Sequence, residues 1–334
     1  MKNYNGEVIR YKTSGKVDDI DRFVNNDPGF IKWTDRLKEA LVAGITLEYD
    51  KELLRKSLYR PFAKQYIYFD HLLNQRRYRQ PLVFPNKQAE SENLVICVNQ
   101  TFERPFCSLM TNSIPNLVMC GGFGAATQSF PFYVYSEEGT SRRDNITDWS
   151  LREFRAHYKN NKISKGDIFH YIYAILHHPA YRTKYAANLR RSLPRIPYAP
   201  DFGGFAKAGK KLADLHVNYE TQPEYKLEFI ENPKAKLNWL VEKMKLSKDK
   251  TTLVYNEFLT LKGIPKEVFD YRLGNRSALD WIIDQYQIST DKRSGIVNDP
   301  NNPDDLQYIV KLIGKVIMVS VETVRIVNGL PVLE

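Results

Sequence analysis

One stretch narrows what this chain can fold into more than any other: FHYIYAILHHPAYRTKYAANLRRSLPRIP, from Phe169 to Pro197. Ile168, Ile172, Ile175 and Leu176 form an apolar stripe at helical spacing, and Tyr185, Ala186, Leu189 and Leu193 resume one beyond Pro179. Proline cannot continue a helix interior but suits its first turn, so the spacing predicts helix from about Ser164 to Leu193, re-started at Pro179 with His178 near the cap. At ~100° per residue, Lys184 and Arg191 fall opposite the second stripe. Such a segment requires a core on one side and presents cations on the other.

His177 and His178 are neighbours, so on a helix they diverge by ~100° and cannot share a metal. A helical zinc pair needs i,i+4 spacing and a third ligand, whereas His170 and His177 stand ~10 Å apart along the axis. No metal site is expected here.

The basic character is local. Residues 151–216 carry 13 Lys+Arg against 4 Asp+Glu, while residues 1–150 carry 20 against 18 and residues 217–334 carry 16 against 17. The formal net charge of +10 therefore sits almost wholly in one segment, the electrostatic footprint of a polyanion partner, most often nucleic acid. A solvated basic face with no partner is the plain alternative. Within that segment Arg182, Lys184, Arg190, Arg191 and Arg195 are the candidate phosphate contacts. In LLNQRRYRQP, Arg76, Arg77 and Arg79 surround Tyr78, a pattern suited to phosphates or to a guanine edge. Arg142 with Arg143 and Lys292 with Arg293 repeat the signal more weakly.

With 334 residues and 43% hydrophobic content the chain can bury a sizeable core. No apolar run reaches the ~20 residues of a membrane helix, and MKNYNGEVIR lacks a secretory signal's apolar stretch. The three cysteines, Cys97, Cys107 and Cys120, form no CxxC pair; buried free thiols in a reducing cytoplasm are expected.

The fold class expected is α+β, with a strand-rich N-terminal half, flanking helices and a more helical C-terminal half. Residues 1–29 read as an irregular connecting segment, 30–140 as a mixed α/β recognition subdomain, and 150–334 as a mainly helical subdomain with a few strands. Trp33, Leu37, Ala40 and Leu41 predict a helix stopped by Gly44, and DKELLRKSLYRPF a second one ended by Pro61. QYIYFD, NLVICV, NLVMC and FPFYVY read as strands, and SEEGTSRRDN as an exposed loop. FAKAGKKLADLHVNY and SALDWIIDQYQI read as helices, TTLVYN as a strand, and Leu306 to Val327 as a closing helix. Trp281, Ile282, Ile283 and Tyr286 are assigned to the core.

Catalytic motifs are not evident. MCGGFG at 119–124 lacks GxGxxG spacing and reads as a turn or bulge, and Glu224-Tyr-Lys226 has no convincing nuclease partner. There is neither a GxxxxGK[ST] loop nor an [NDS]PP[YFW] tetrapeptide for holding a flipped adenine.

IKWTDRLKEAL, LYRPFAKQYIYFDHLLNQRRY, GDIFHYIYAILHHPAYRTKYAANLRRSLPRIP, FAKAGKKLADLHVNYE, YNEFLTLKGIP and GNRSALDWIIDQYQISTDKRSGIVNDPN follow in order within a match running from about Phe30 to Val327. Together they resemble the C-terminal specificity region of type ISP restriction–modification enzymes. Those enzymes join a nuclease, an ATP-driven translocase, a coupling region, an N6-adenine methyltransferase and a target-recognition region. The resemblance implies recognition of double-stranded DNA for a methyltransferase in the same enzyme or complex. It implies no catalysis or cofactor in these residues, with S-adenosylmethionine, ATP and Mg belonging to the other modules. The alternatives are a divergent methyltransferase or nuclease, and a methyltransferase-docking subunit.

Overall fold

The computed structural model describes residues 1–15, 17–100, 105–120 and 126–334. Helices of eight residues or more are numbered in chain order.

Helix α1 (Lys2–Thr13) occupies the segment expected to be irregular. Its apolar face is sparse: Tyr4 and Val8 are buried against Leu37 and Leu41 of α2 (Asp35–Val42), and Tyr11 packs half-buried beside them. The Asn5 side chain and Tyr4 hydroxyl then fasten α1 to the carbonyls of Leu47 and Ile45, at 2.8 and 2.9 Å. Thr34 caps α2 as its Oγ1 accepts from Leu37 N at 3.2 Å.

Leu54–Arg60, expected to be helical, is instead a strand, β1, which pairs antiparallel with β2 (Ala63–Tyr68). Its inward positions include Arg55 and Ser57, so the two-residue alternation carries no apolar signature. Arg55 is tolerated inside because Glu90 lies 2.6 Å away and the Phe84 carbonyl accepts at 3.3 Å.

β3 (Val95–Gln100) is the centre of an antiparallel sheet, with β4 (Ser108–Thr111) on one side. β5 (Ile114–Pro115) joins β1 in parallel, and β6 (Ala126–Pro131) flanks β3 on its other side. NLVMC, expected to be a strand, is a turn: Asn116 Oδ1 accepts from Val118 N at 2.8 Å, and Met119 and Cys120 are buried for packing rather than pairing. Of the MCGGFG motif, residues 121–124 lie outside the described residues. β7 (Tyr133–Tyr135) and β8 (Arg142–Asp144) form a two-stranded ribbon across the segment expected to be a loop.

The stretch from Phe169 follows its pattern up to Pro179, but the helix expected to run on to Leu193 is only two short pieces, 179–184 and 186–189, and Ala186 and Leu193 of the second stripe are exposed. After α3 (Asp148–Tyr158), Ser164 and Asp167 make a capping box at the start of α4 (Lys165–His177). Pro179 begins the next helical turn, 179–184, and His178 Nδ1 accepts from Ala180 N at 3.1 Å. α4 crosses α5 (Phe202–Val217) so closely that a Cβ on Gly209 would lie 1.8 Å from the His170 carbonyl oxygen. Only glycine permits that approach.

Beyond α5, β9 (Glu228–Glu231), β10 (Lys245–Leu246), β11 (Thr252–Val254) and β12 (Leu259–Lys262) form an antiparallel sheet in the order β10-β11-β12-β9. α6 (Ala278–Gln285) buries Trp281 and Ile282, with Tyr286 just beyond it, as the sequence leads one to expect, and α7 (Tyr308–Asn328) closes the chain. The architecture is α+β. One buried cluster unites Leu58, Phe84 and Val95 with Leu259, Trp281 and Val316, drawing on both halves of the chain. Cys97, Cys107 and Cys120 are buried free thiols, and burial pushes Cys97 up to about 12.

Candidate nucleic-acid interface

Between β2 and the helical turn 80–83, the chain runs through Asn74–Arg79 as an irregular segment pinned at both ends. Asn74 Nδ2 donates to the carbonyls of Tyr68 and Asp70, and Gln80 N donates to the Arg77 carbonyl at 3.0 Å. The Arg77 side chain turns inward. Its Nη1 donates to the Phe69 carbonyl at 3.3 Å, and its guanidinium stands 5.2 Å from the Phe69 ring centroid. Burial lowers the Arg77 pKa, against the nearby Asp70 carboxylate, which raises it.

Arg76, Tyr78 and Arg79 are exposed. With Arg77 they line a cleft of about 590 Å³ that Ile114–Leu117 and Ala126–Ser129 also line. Gln128 in that lining makes no side-chain hydrogen bond among the described residues, so its amide is available to a ligand. Two exposed guanidinium groups and a free amide can neutralise phosphates and read a base edge. Sequence reasoning found the arginines but missed the rest of the lining, because β6 takes its place there only through pairing with β3.

The basic segment after Pro179 divides differently. Arg182 lies against the interior: its Nε donates to the Leu176 carbonyl at 2.7 Å, and its guanidinium is 5.7 Å from the Phe106 ring centroid. Burial lowers its pKa. Below it, Tyr173 Oη accepts from Met110 N at 2.8 Å and reaches His216 Nδ1 at 2.6 Å, and His216 Nε2 meets Thr323 Oγ1 at 2.8 Å. Lys184 is exposed but ion-paired with Glu334, whose hydrogen bond raises the lysine pKa. Arg190, Arg191 and Arg195 are exposed, and Arg195 borders a second cleft, of about 410 Å³, with Ser192 and Tyr185.

The remaining candidates are scattered. Arg142 pairs with Glu92 and covers the Tyr133 ring at 4.3 Å, while Arg143 makes no ion pair among the described residues. Their neighbour Lys165 is held by Asp144 at 3.0 Å and Asp148 at 2.7 Å, so that corner is mixed in charge. Lys292 and Arg293 sit exposed on a hairpin loop between Ser289–Thr290 and Val297–Asn298. His177 is buried with Nδ1 2.9 Å from the Tyr173 carbonyl, and no cluster of metal-ligating side chains occurs among the described residues. No described helix is long and apolar enough to cross a membrane.

The described residues thus place an arginine-lined cleft on an α+β scaffold. The sequence matches the family described as the Type ISP C-terminal specificity domain over residues 1–312, and the chain belongs to that family. No curated protein sequence matches it. Among solved structures, it is similar over 100% of its length to a nuclease-deletion mutant of the Type ISP restriction-modification enzyme LlaGI in complex with a DNA substrate mimic, at 34% identity and a TM-score of 0.85. The ATP-dependent Type ISP restriction-modification enzyme LlaBIII bound to DNA is similar at 31% identity and 0.87, again over 100% of this chain. A DrdV–DNA complex is similar at 35% identity and 0.87 over the same full length. The chain spans 30%, 22% and 33% of those three chains respectively.

Proposed function

We propose that this chain recognises a target sequence in double-stranded DNA on behalf of a type ISP restriction–modification enzyme. The observation that carries the reading is its full-length similarity, at over 30% identity, to chains bound to DNA. The cleft supports it by supplying matched chemistry: Arg76 and Arg79 for phosphates or a guanine edge, Gln128 for an adenine edge. Arg190, Arg191 and Arg195 extend the phosphate grip, with Arg143, Lys292 and Arg293 as peripheral contacts. Arg77 lines the cleft while bracing it on the Phe69 carbonyl, Arg182 braces the interior, and Lys184 and Arg142 engage DNA only by releasing Glu334 and Glu92.

The catalytic work belongs to a methyltransferase, translocase and nuclease outside these residues, where S-adenosylmethionine, ATP and Mg bind. The setting is the cytoplasm. The test is a salt titration of binding to duplex DNA, with and without the Arg76→Ala/Arg79→Ala pair. Removing one cation from a phosphate flattens the log–log slope by ~0.9. A slope that stays the same in the double variant removes the cleft from the phosphate interface.

A further inference from the structure

Among the described residues, four that are not glycine have positive φ: Phe62, Tyr78, Lys159 and Lys250. Three have a reason inside the fold. Phe62 turns the β1–β2 hairpin, and its buried ring meets Tyr219, His216 and Tyr271. Lys159 ends α3 in a left-handed cap, and Lys250 closes the β10–β11 turn through its N–H to the Ser247 carbonyl. Tyr78 too sits in a closed turn, spanned by Gln80 N to the Arg77 carbonyl at 3.0 Å, but its ring is returned to no core. Its φ is 47°, yet its ring is 68% exposed.

A left-handed backbone is unfavourable for a bulky side chain and persists only where the surroundings over-determine it. Here the surroundings are visible: Arg77 is braced on Phe69 and Gln80 N on the Arg77 carbonyl, so the backbone on either side of Tyr78 is held. What the strain achieves is presentation. An aromatic ring stands at the rim of the cleft between two exposed arginines, with its apolar faces unpartnered. Stacking on a nucleobase covers those faces, whereas a phosphate contact leaves them in water.

We propose that Tyr78 is a stacking wedge: it inserts between base pairs while Arg76 and Arg79 hold the flanking phosphates. This rests on the DNA-recognition reading above and assigns that site its duplex-distorting residue. Pre-setting the ring lowers the entropic cost of ordering it at the moment of binding.

A wedge must break base stacking, so it favours duplexes in which stacking is already interrupted. The experiment compares the affinity of the chain for a short duplex with one central abasic site and for the intact duplex, by fluorescence anisotropy. The wild-type protein should prefer the abasic duplex by about tenfold, the scale of one stacked base. Tyr78→Phe should keep that preference, and Tyr78→Ala should lose it while melting as a folded protein. A preference absent from the wild type, or retained by Tyr78→Ala, overturns the wedge while leaving DNA recognition intact. Failure of the wild type to bind either duplex removes the DNA-recognition reading, and the wedge with it.

Discussion

Arg182 and Arg76 are the same residue type in two basic stretches, and the fold gives them opposite work. Around Arg182 the chain turns charge inward, onto the Leu176 carbonyl and the Phe106 ring, above a buried chain of Tyr173, His216 and Thr323. Around Arg76 the chain turns charge outward, and the arginine it keeps inside, Arg77, braces the turn that displays the others. The difference teaches that a cation's use is set by the nearest unsatisfied carbonyl. α4 ends beside Arg182 with its last carbonyls lacking helical partners, and a guanidinium satisfies one of them.

The largest expected effect breaks the comparison most sharply. Arg182→Ala should cost about 2 kcal/mol of stability, as for other hydrogen bonds to charged groups, and leave the salt slope of DNA binding unchanged. Arg76→Ala should do the reverse, within about 0.5 kcal/mol of wild-type stability. Denaturant unfolding together with a salt titration distinguishes them, and a flattened slope in Arg182→Ala would return that residue to the interface.

The same interior predicts acid sensitivity. Burial holds His177 well below its ordinary value and, with the Arg182 cation, brings His216 down to about 3. Both are therefore neutral when folded, while the unfolded chain protonates them near ~6.5. Stability is fully present above that value and falls as pH drops from there towards 3, because the unfolded state binds more protons. His216 contributes a slope of at most ~1.4 kcal/mol per pH unit below ~6.5, and His177 acts in the same direction. Urea unfolding between pH ~7 and pH ~5 measures it; the cleft, which has no histidine in its lining, should add nothing.

The smallest effect sharpens the outward-facing side. Tyr78→Gly should stabilise the folded chain by about 1 kcal/mol by relieving the left-handed backbone. A destabilised glycine variant would mean that the exposed ring already supports the fold.

The two regions also differ in how far the sequence discloses them. The helical run from Ser164, its break at Pro179 and the cap at His178 are written in local periodicity and proline chemistry, and they appear as read. The long blocks shared with the type ISP region likewise led to the correct family. Elsewhere the local signal misleads. β1 hides its alternation because Arg55 and Ser57 occupy inward positions, made acceptable by Glu90 and Ile114, which lie 35 and 57 residues away. α1 is held by the scattered side chains of Tyr4, Val8 and Tyr11 and by the carbonyls of Ile45 and Leu47. The arginines of the cleft could be named from sequence, but not which of them faces out. That depends on the Phe69 carbonyl for Arg77, just as the pairing of Lys184 outside the cleft depends on Glu334, and neither is visible in the charge pattern. Gln128 gave no signal at all, since a lone glutamine acquires meaning only from the wall in which it stands.

We propose that this chain reads DNA sequence through the outward-facing cleft. Selection from a randomised duplex pool at ~150 mM salt, where non-specific binding is suppressed, tests it most directly. The account predicts one enriched motif from the wild-type chain, with individual positions relaxed in Arg76→Ala, Arg79→Ala and Gln128→Ala. An unenriched wild-type pool, or a motif unchanged in all three variants, would contradict it.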